Sequence, residues 1–165
     1  MMSGKLLSRI DQASLKARQG DLYEALEICN CLIFEFPNSY EGYQKRSEVF
    51  RQMGDYQSAF RDLETVIEYL PDEPAPYFRR GRWKLDLGQY NEAIRDFTTV
   101  IDFGSDYFFE AAYFFRALSN YYCRKFEQAL SDCEYVSKDY HLGPKYLSKE
   151  ELIHQIAKAR SKINF

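Results

Sequence analysis

The sequence predicts an all-α fold in which one pair of helices is repeated along the chain. The first observation is a 34-residue period that relates three glycines and three alanines, namely Gly20, Gly54, Gly88, Ala25, Ala59 and Ala93. The second is that bulky residues follow the glycines at the same interval, as Leu22, Tyr56 and Tyr90. The third is that Pro37 and Pro71, which cannot continue a helix, keep this interval too. A period this regular indicates a stack of one repeated unit.

Each repeat is predicted to run as helix A, a tight turn, helix B and a second turn, over about residues 6–39, 40–73, 74–107 and 110–143. In the second repeat, Gly54 supplies the left-handed backbone that ends helix A, and Asp55 is an N-cap residue for helix B. Apolar residues of this helix B recur three and four apart, as Tyr56, Ala59, Phe60, Leu63, Val66 and Ile67. In the third repeat, Pro74 and Pro76 open helix A, where a missing amide donor costs little.

This pattern resembles the tetratricopeptide repeat family over nearly the whole chain. That family repeats an opening aromatic, a small residue, a glycine turn, a tyrosine, an alanine, a bulky residue and a closing proline. The second and third repeats match it through Tyr43, Ser47, Gly54, Tyr56, Ala59, Leu63 and Pro71, and through Tyr77, Gly81, Gly88, Tyr90, Ala93 and Phe97. The resemblance implies a right-handed α-solenoid of about four helix-turn-helix repeats, with residues 1–165 forming a single domain.

The outer repeats depart from the pattern. In the first repeat, Arg9 replaces the opening aromatic and Ala13 is the small residue. The fourth keeps Tyr113, Ala117, Phe126, Ala129 and Cys133, but Arg124 stands where the glycine is expected, and Ser105 and His141 replace the closing proline. Phe108 and Phe109 form a two-residue insertion before the fourth repeat, so the stacking is expected to bend there.

The C-terminal residues 148–164 are predicted to form a capping helix. Ser148-x-x-Glu151 is a capping box, the side-chain pair that starts a helix. Behind it, one face carries Leu152, Ile156, Ala159 and Ile163. Such a helix shields the last repeat of an array. The alternative is that it docks onto another molecule.

Composition narrows the function classes. The chain has 165 residues and a net charge of −3, which argues against a generic nucleic-acid or membrane binder. The N-terminus lacks the apolar run of a secretory signal, and no stretch approaches the roughly 20 apolar residues of a membrane span. These features predict a cytoplasmic protein. The four cysteines, Cys29, Cys31, Cys123 and Cys133, are predicted to be free thiols.

No catalytic site, cofactor or metal is predicted. The cysteines form no CxxC pair, and both histidines, His141 and His154, lie near the C-terminus without a nucleophile in a recognisable context. Asp102-Phe103-Gly104 spells the metal-binding triplet of protein kinases, but the other kinase motifs are missing. The sequence therefore predicts that the protein is not an enzyme.

The charges separate between the two kinds of helix. Lys and Arg exceed Asp and Glu by six over the helix A stretches 6–19, 40–53, 74–87 and 110–123. The helix B stretches 21–36, 55–70, 89–102 and 125–140 carry a net charge of −11. Since the resemblance implies that helix A lines a concave groove, this groove is expected to be basic and the outer face acidic.

The family's usual groove positions predict the partner-binding residues. They are Arg18, Gln44, Lys45, Glu48, Arg51, Phe78, Arg79, Arg82, Phe114, Phe115, Leu118, Tyr121 and Tyr122. A ligand with acidic residues beside bulky apolar ones would suit such a groove. The alternative is that Arg79, Arg80 and Arg82 form a solvated face and that the fourth-repeat aromatics pack on the C-terminal helix.

One family function can be tested on the residues. Tetratricopeptide domains that bind chaperones grip a C-terminal carboxylate with Lys and Asn, then Asn, then Lys and Arg on three successive A helices. The matching residues here are Ile10, Ser14, Lys45, Ala75 and Arg79. Only Arg79 agrees, so a co-chaperone of that type is not predicted.

The leading hypothesis is a non-catalytic protein-protein interaction module that binds a protein or peptide segment in its concave groove. More specific versions are a bacterial toxin-neutralising immunity protein and a secretion chaperone. A self-associating scaffold is a second class, in which the fourth-repeat aromatics form a homodimer. RNA binding through the basic A helices is a third, against which the acidic isoelectric point counts.

Overall fold

The computed structural model describes residues 4–138, 140 and 146–162, and nine α-helices account for most of them. They are α1 (Gly4–Gln19), α2 (Leu22–Glu35), α3 (Tyr40–Met53), α4 (Tyr56–Tyr69), α5 (Pro74–Asp86), α6 (Tyr90–Asp102), α7 (Phe109–Tyr122), α8 (Phe126–Cys133) and α9 (Lys149–Ser161). A short 3-10 helix, Asp106–Phe108, precedes α7. The described residues contain no strand. The all-α prediction and the pairing of helix A with helix B are confirmed.

The chain divides into two compact units, Met1–Pro71 and Asp72–Phe165, which we call unit 1 and unit 2. Unit 1 holds α1–α4 and unit 2 holds α5–α9, so the division falls between the second and third predicted repeats. In unit 1 the core includes Ala13, Ala17, Ala25, Cys29 and Val49. In unit 2 it is larger and more aromatic, and it includes Phe97, Phe114, Phe115, Leu152 and Ile156.

Left-handed backbone separates helix A from helix B in every repeat. Gly20, Gly54 and Gly88 have φ angles of 89°, 81° and 75°, which glycine adopts without a steric penalty. Arg124 takes this position in the fourth repeat with φ 60°. Asp55 caps α4 by accepting a hydrogen bond from the Ser58 amide, as its residue type predicts.

Small residues mark the places where helices approach closely. A Cβ atom on Gly81 would lie 3.0 Å from the Phe97 ring and 3.1 Å from the Cβ of Asp96. In unit 1, a Cβ atom on Gly42 would lie 2.9 Å from the Ile33 side chain. A larger residue at either position would therefore require atoms of the neighbouring helix to shift.

The last helix B is shorter than its repeat position suggests. α8 ends at Cys133, whereas the pattern placed a helix over 125–140. After that point, Glu110 accepts a hydrogen bond from the Ser137 amide, and Lys149 donates one to the Val136 carbonyl. These contacts satisfy backbone groups outside the helix.

α9 starts where the capping box predicts. The Ser148 hydroxyl accepts from the Glu151 amide, and the Glu151 carboxylate accepts from the Ser148 amide. Leu152 and Ile156 are fully buried in the core of unit 2. The capping prediction for this helix is therefore supported. Ile163 of the predicted helix face, and His141 of the fourth repeat, lie outside the described residues.

Among the described residues, we find no helix with the length and apolar character of a membrane span.

Candidate functional site

In unit 1, α1 and α3 frame a small open cavity of about 130 Å³. We call it the α1–α3 groove, and it is lined by Ser14, Ala17, Arg18, Lys45, Glu48, Val49 and Gln52. Three predicted groove residues, Arg18, Lys45 and Glu48, thus meet in one place. The floor is apolar, since Ala17 and Val49 are buried.

The charged residues of this groove are ordered by local contacts. The Lys45 ammonium lies 2.6 Å from the Glu48 carboxylate, one helical turn away. Arg18 is exposed, and its Nε donates to the carbonyl of Ser14 at 3.3 Å. Gln44 and Arg51 also lie on α3 and are half-buried, but they do not line the cavity.

In unit 2, three of the predicted groove residues belong to the core. Phe114 and Phe115 have no exposed surface, and Leu118 is only 3% exposed. This corrects the expectation that they line an open groove. The reason is that the C-terminal part of the chain covers α7: Tyr140 lies 5.6 Å from the Phe114 ring and Tyr146 lies 5.3 Å from the Phe115 ring.

Arg82 is held by the chain's own Tyr146. Its guanidinium lies 4.0 Å from the centre of the Phe115 ring and 4.8 Å from that of Tyr146. Its Nη2 donates to the Tyr146 hydroxyl at 2.6 Å, and this hydroxyl donates to Asp86 at 3.3 Å. The Tyr146 side chain therefore occupies the place on α5 where a ligand was expected.

The remaining predicted groove residues in unit 2 are half-buried or make contacts within the chain. Phe78 packs 4.7 Å from the ring of Phe108, and Arg79 is half-buried. Tyr121 donates its hydroxyl proton to Gln155 of α9 at 3.0 Å. Tyr122 stacks on Tyr90 at 4.8 Å, and desolvation raises the pKa of its phenol. The alternative prediction was that the fourth-repeat aromatics pack against the C-terminal helix. Tyr121 contacts that helix directly, and the core that holds Phe114 and Phe115 also includes its Leu152 and Ile156.

An arginine–aspartate pair links helix A to helix B in three of the four repeats. The pairs are Arg46–Asp62 at 2.8 Å, Arg80–Asp96 at 2.7 Å and Arg116–Asp132 at 2.6 Å. Each carboxylate is almost fully buried and accepts at least two hydrogen bonds from its arginine. A tyrosine three residues before each arginine lies near the guanidinium, as Tyr43, Tyr77 and Tyr113.

These pairs alter what the contrast between basic A helices and acidic B helices implies for binding. The excess of basic residues in helix A is partly neutralised by acidic residues of helix B, so it is not all available to a partner. Lys84 adds a 2.9 Å contact to Asp96, and Lys16 pairs with Glu24 at 2.7 Å. The hydrogen bonds with Asp62 also raise the pKa of Arg46.

The prediction from sequence missed these pairs, although the signal was present. A Tyr-x-x-Arg segment recurs in three A helices, and an aspartate follows each arginine after sixteen residues. The first repeat has Gln12 and Ile28 at the corresponding positions and lacks the pair. Residues that vary together at a fixed separation indicate a contact.

The described residues contain no cluster of three or more His, Cys, Asp or Glu side chains that could hold a metal ion. Burial raises the pKa of the Cys29 thiol to about 12 and that of Cys133 to about 11. Both thiols are therefore protonated groups of the core. Cys31 is exposed, and His154 lies on the exposed face of α9.

Solved structures with the same fold complete this description. MamA from Desulfovibrio magneticus RS-1 superposes with a TM-score of 0.80 at 18% identity, over 98% of this chain and 88% of that one. A putative kinesin light chain from Podosopora anserina with nearly identical TPR-like repeats gives 0.74 at 16% identity, over 96% and 88% of the two chains. The type III secretion translocator chaperone SycD from Yersinia enterocolitica gives 0.63 at 16% identity, over 77% and 90%.

The chain therefore has the tetratricopeptide-repeat fold. No family model matches the sequence, and no curated protein matches it either. At this level of identity, the solved structures establish the fold alone.

Proposed function

We propose that the protein is a non-catalytic binding module that holds a peptide segment of a partner protein in the α1–α3 groove. The observation that carries this proposal is the cavity, in which Arg18 and Lys45 stand beside a floor of Ala17 and Val49. A carboxylate next to a small apolar side chain suits both features. Arginine and lysine bind carboxylates through charge-assisted hydrogen bonds, and the floor offers an apolar contact.

The pairing inside the groove refines the ligand. The Lys45 ammonium has three donors and uses one of them on Glu48 at 2.6 Å, so it can still receive a second carboxylate. Glu48 opposes further negative charge in the same place. We therefore expect a segment with one acidic residue flanked by small apolar ones, and not an acidic run.

The structure of unit 2 is a reason to place the ligand in the α1–α3 groove of unit 1. Four of the predicted groove positions on α5 and α7 are covered by Tyr146 or lie in the core of unit 2, so a ligand there would have to displace part of the chain; they are Arg82, Phe114, Phe115 and Leu118. The α1–α3 groove requires no such displacement.

A secretion chaperone is one version of this proposal, and the Yersinia neighbour is named a type III secretion translocator chaperone. A toxin-neutralising immunity protein is another version. In both versions the groove holds a segment of one dedicated partner, which is a secreted effector for the chaperone and a toxin for the immunity protein.

The test is a selection of random dodecapeptides displayed on phage, followed by affinity measurements. Peptides enriched on the wild-type protein should carry a single Asp or Glu. The Arg18→Ala/Lys45→Ala variant should weaken their binding about tenfold or more in fluorescence anisotropy, because charge-assisted hydrogen bonds are lost. Its melting temperature should change little, since both side chains are partly exposed.

The matched control is Arg61→Ala, which removes an exposed cation from α4 of the same unit. This variant should bind the selected peptides like the wild type. If the control weakened binding equally, the effect would be one of net charge and the groove assignment would fail. A failure to enrich any acidic peptide would contradict the proposed ligand chemistry.

A further inference from the structure

The two-residue insertion before the fourth repeat coincides with an exposed aromatic surface in unit 2. α6 and α8 end there and α7 begins there, because consecutive helices run in opposite directions. We call this surface the aromatic end patch, and its members are Phe103, Tyr107, Phe109, Tyr113 and Tyr135. Neither the fold nor the α1–α3 groove accounts for it.

The patch presents ring faces to solvent. Tyr113 and Tyr135 stack at 4.3 Å with an interplanar angle of 16°, and Phe109 lies 5.0 Å from Tyr113. Tyr135 is 49% exposed, so the ring face that does not contact Tyr113 is open. Tyr107 is 87% exposed and touches only the edge of Phe108 among the described rings. Large aromatic side chains left this exposed mark an interaction surface.

The two chain segments that carry most of the exposed rings hold charges of one sign, and the nearby Arg116 is paired with Asp132. Residues 102–110 and 133–137 contain Asp102, Asp106, Glu110 and Glu134, and no lysine or arginine. Asp102, Asp106 and Glu134 are exposed and form no ion pair within the described part of the chain. Lys138 follows, but its ammonium lies 3.8 Å from Glu150 of α9.

The chain itself shows how a cation is accommodated here. The Arg116 guanidinium lies 5.3 Å from the centre of the Tyr113 ring, and the corresponding Arg80 lies 5.7 Å from Tyr77. In both cases a buried aspartate completes the site. The outer face of Tyr135 and the exposed carboxylate of Glu134, its neighbour in the chain, offer the same two elements, and no ion pair of Glu134 is found within the described part of the chain.

We propose that the aromatic end patch binds an arginine-containing basic segment of a partner protein. A guanidinium stacks on the open face of Tyr135, and the carboxylates at the rim pair with it and with neighbouring cations. The opposite charge of ligand and rim also selects against acidic segments. The patch is thus a second surface, with a ligand preference opposite to that of the α1–α3 groove.

The experiment is a dodecapeptide phage selection on the wild-type protein, with counter-selection on Tyr107→Ala/Tyr135→Ala. Peptides retained only by the wild type should be basic and contain arginine. For the best peptide, Tyr135→Ala should raise the Kd about two- to fivefold, as expected for an exposed cation–π contact, and a lysine-for-arginine peptide should bind more weakly. Asp106→Asn/Glu134→Gln should weaken binding mainly at low salt.

Two variants keep the result interpretable. Tyr23→Ala removes a 78% exposed tyrosine from α2 of unit 1 and should leave the Kd unchanged. Arg18→Ala/Lys45→Ala should also leave it unchanged, so failure of the patch and failure of the groove are distinguishable. Tyr107 and Tyr135, the side chains removed from the patch, are exposed. An unchanged melting temperature should therefore show that the patch variant folds.

Three outcomes would overturn the proposal. One is that no peptide separates the wild type from the patch variant, and another is that the separating peptides are neutral or acidic. The third is a rise in mass with concentration, seen by light scattering and abolished by Tyr107→Ala/Tyr135→Ala. That result would place a second copy of this chain on the patch.

Discussion

At the scale of single residues, the buried aspartates of helix B are positions where a substitution should cost stability. Asp96 accepts hydrogen bonds from Arg80 and also contacts Lys84, and its side chain is 4% exposed. Such a pair adds little stability compared with apolar residues of the same size. Removing one member, however, leaves the partner charge without compensation in a partly desolvated site.

We predict that Asp96→Asn lowers the free energy of unfolding by about 2–3 kcal/mol, because Arg80 and Lys84 lose their shared carboxylate. Urea denaturation followed by circular dichroism measures the change. Asp102→Asn is the matched control, since it alters an exposed aspartate of the same helix. This control should stay within about 0.5 kcal/mol of the wild type. Equal effects of the two variants would show that the buried pair has no special role.

The cysteines give a second prediction for single residues. Burial raises the pKa of Cys29 to about 12 and of Cys133 to about 11, so little thiolate forms on either at about pH 8. Iodoacetamide should therefore modify exposed Cys31 first in the native protein, and all cysteines alike in urea. Peptide mass spectrometry measures the order. Because the unfolded thiols lose their protons near pH 8.5, stability should fall as the pH rises above that value. Rapid native labelling of Cys29 would contradict the assigned burial.

At the scale of an element, the turn between helix A and helix B follows one rule and one exception. Three repeats place glycine in the left-handed conformation and the fourth places Arg124 there. A side chain in this conformation costs about 1–2 kcal/mol relative to glycine. Part of that cost is offset, since glycine loses more backbone entropy on folding.

We predict that Arg124→Gly stabilises the protein by about 0.5–1 kcal/mol, and that Gly54→Ala destabilises it by about 1 kcal/mol. Differential scanning calorimetry measures the melting temperatures of both variants. One variant introduces glycine at the equivalent turn position and the other removes it. Arg124 is exposed, so its removal costs little packing. If Arg124→Gly lowered the melting temperature, the arginine side chain would have a stabilising contact that its exposure does not suggest.

At the scale of the whole molecule, each unit has its own core, and α9 completes that of unit 2. Leu152 is fully buried, whereas its neighbour Ile153 is 36% exposed. We predict that Leu152→Ala lowers stability by about 2–5 kcal/mol and that Ile153→Ala has a much smaller effect. Hydrogen exchange read by mass spectrometry should show the loss of protection in α7 and α8. Full protection there would mean that α9 is dispensable for the core.

The fold was predictable because its signal is repeated. Gly20, Gly54 and Gly88 mark three turns at one interval, and a period read three times is hard to misread. The Ser148 capping box was predictable for another reason, since its two residues lie only three positions apart in the sequence. Arg18, Lys45 and Glu48, which line the α1–α3 groove, were named from the family's usual groove positions, and their role in binding stays a prediction.

The unit 2 positions were predicted less well for a physical reason. Tyr146 lies outside the repeats, and it bonds to Asp86, which is 60 residues away. No period reports such a contact, so the burial of Phe115 under Tyr146 could not be read from spacing. The arginine–aspartate pairs, in contrast, were readable from Tyr-x-x-Arg and an aspartate sixteen residues on.

The placement of the arginine–aspartate pairs affects how a repeat array can gain or lose repeats during evolution. Both charged members lie in the same repeat, as in Arg80 with Asp96 and Arg116 with Asp132, while the contact from Arg116 to the preceding repeat is made to the uncharged Thr98. A gene duplication or deletion of one whole repeat would therefore carry each buried charge together with its partner. Across the boundary to the preceding repeat, Arg116 would exchange one uncharged acceptor for another, so the array could change length without separating these buried carboxylates from their arginines.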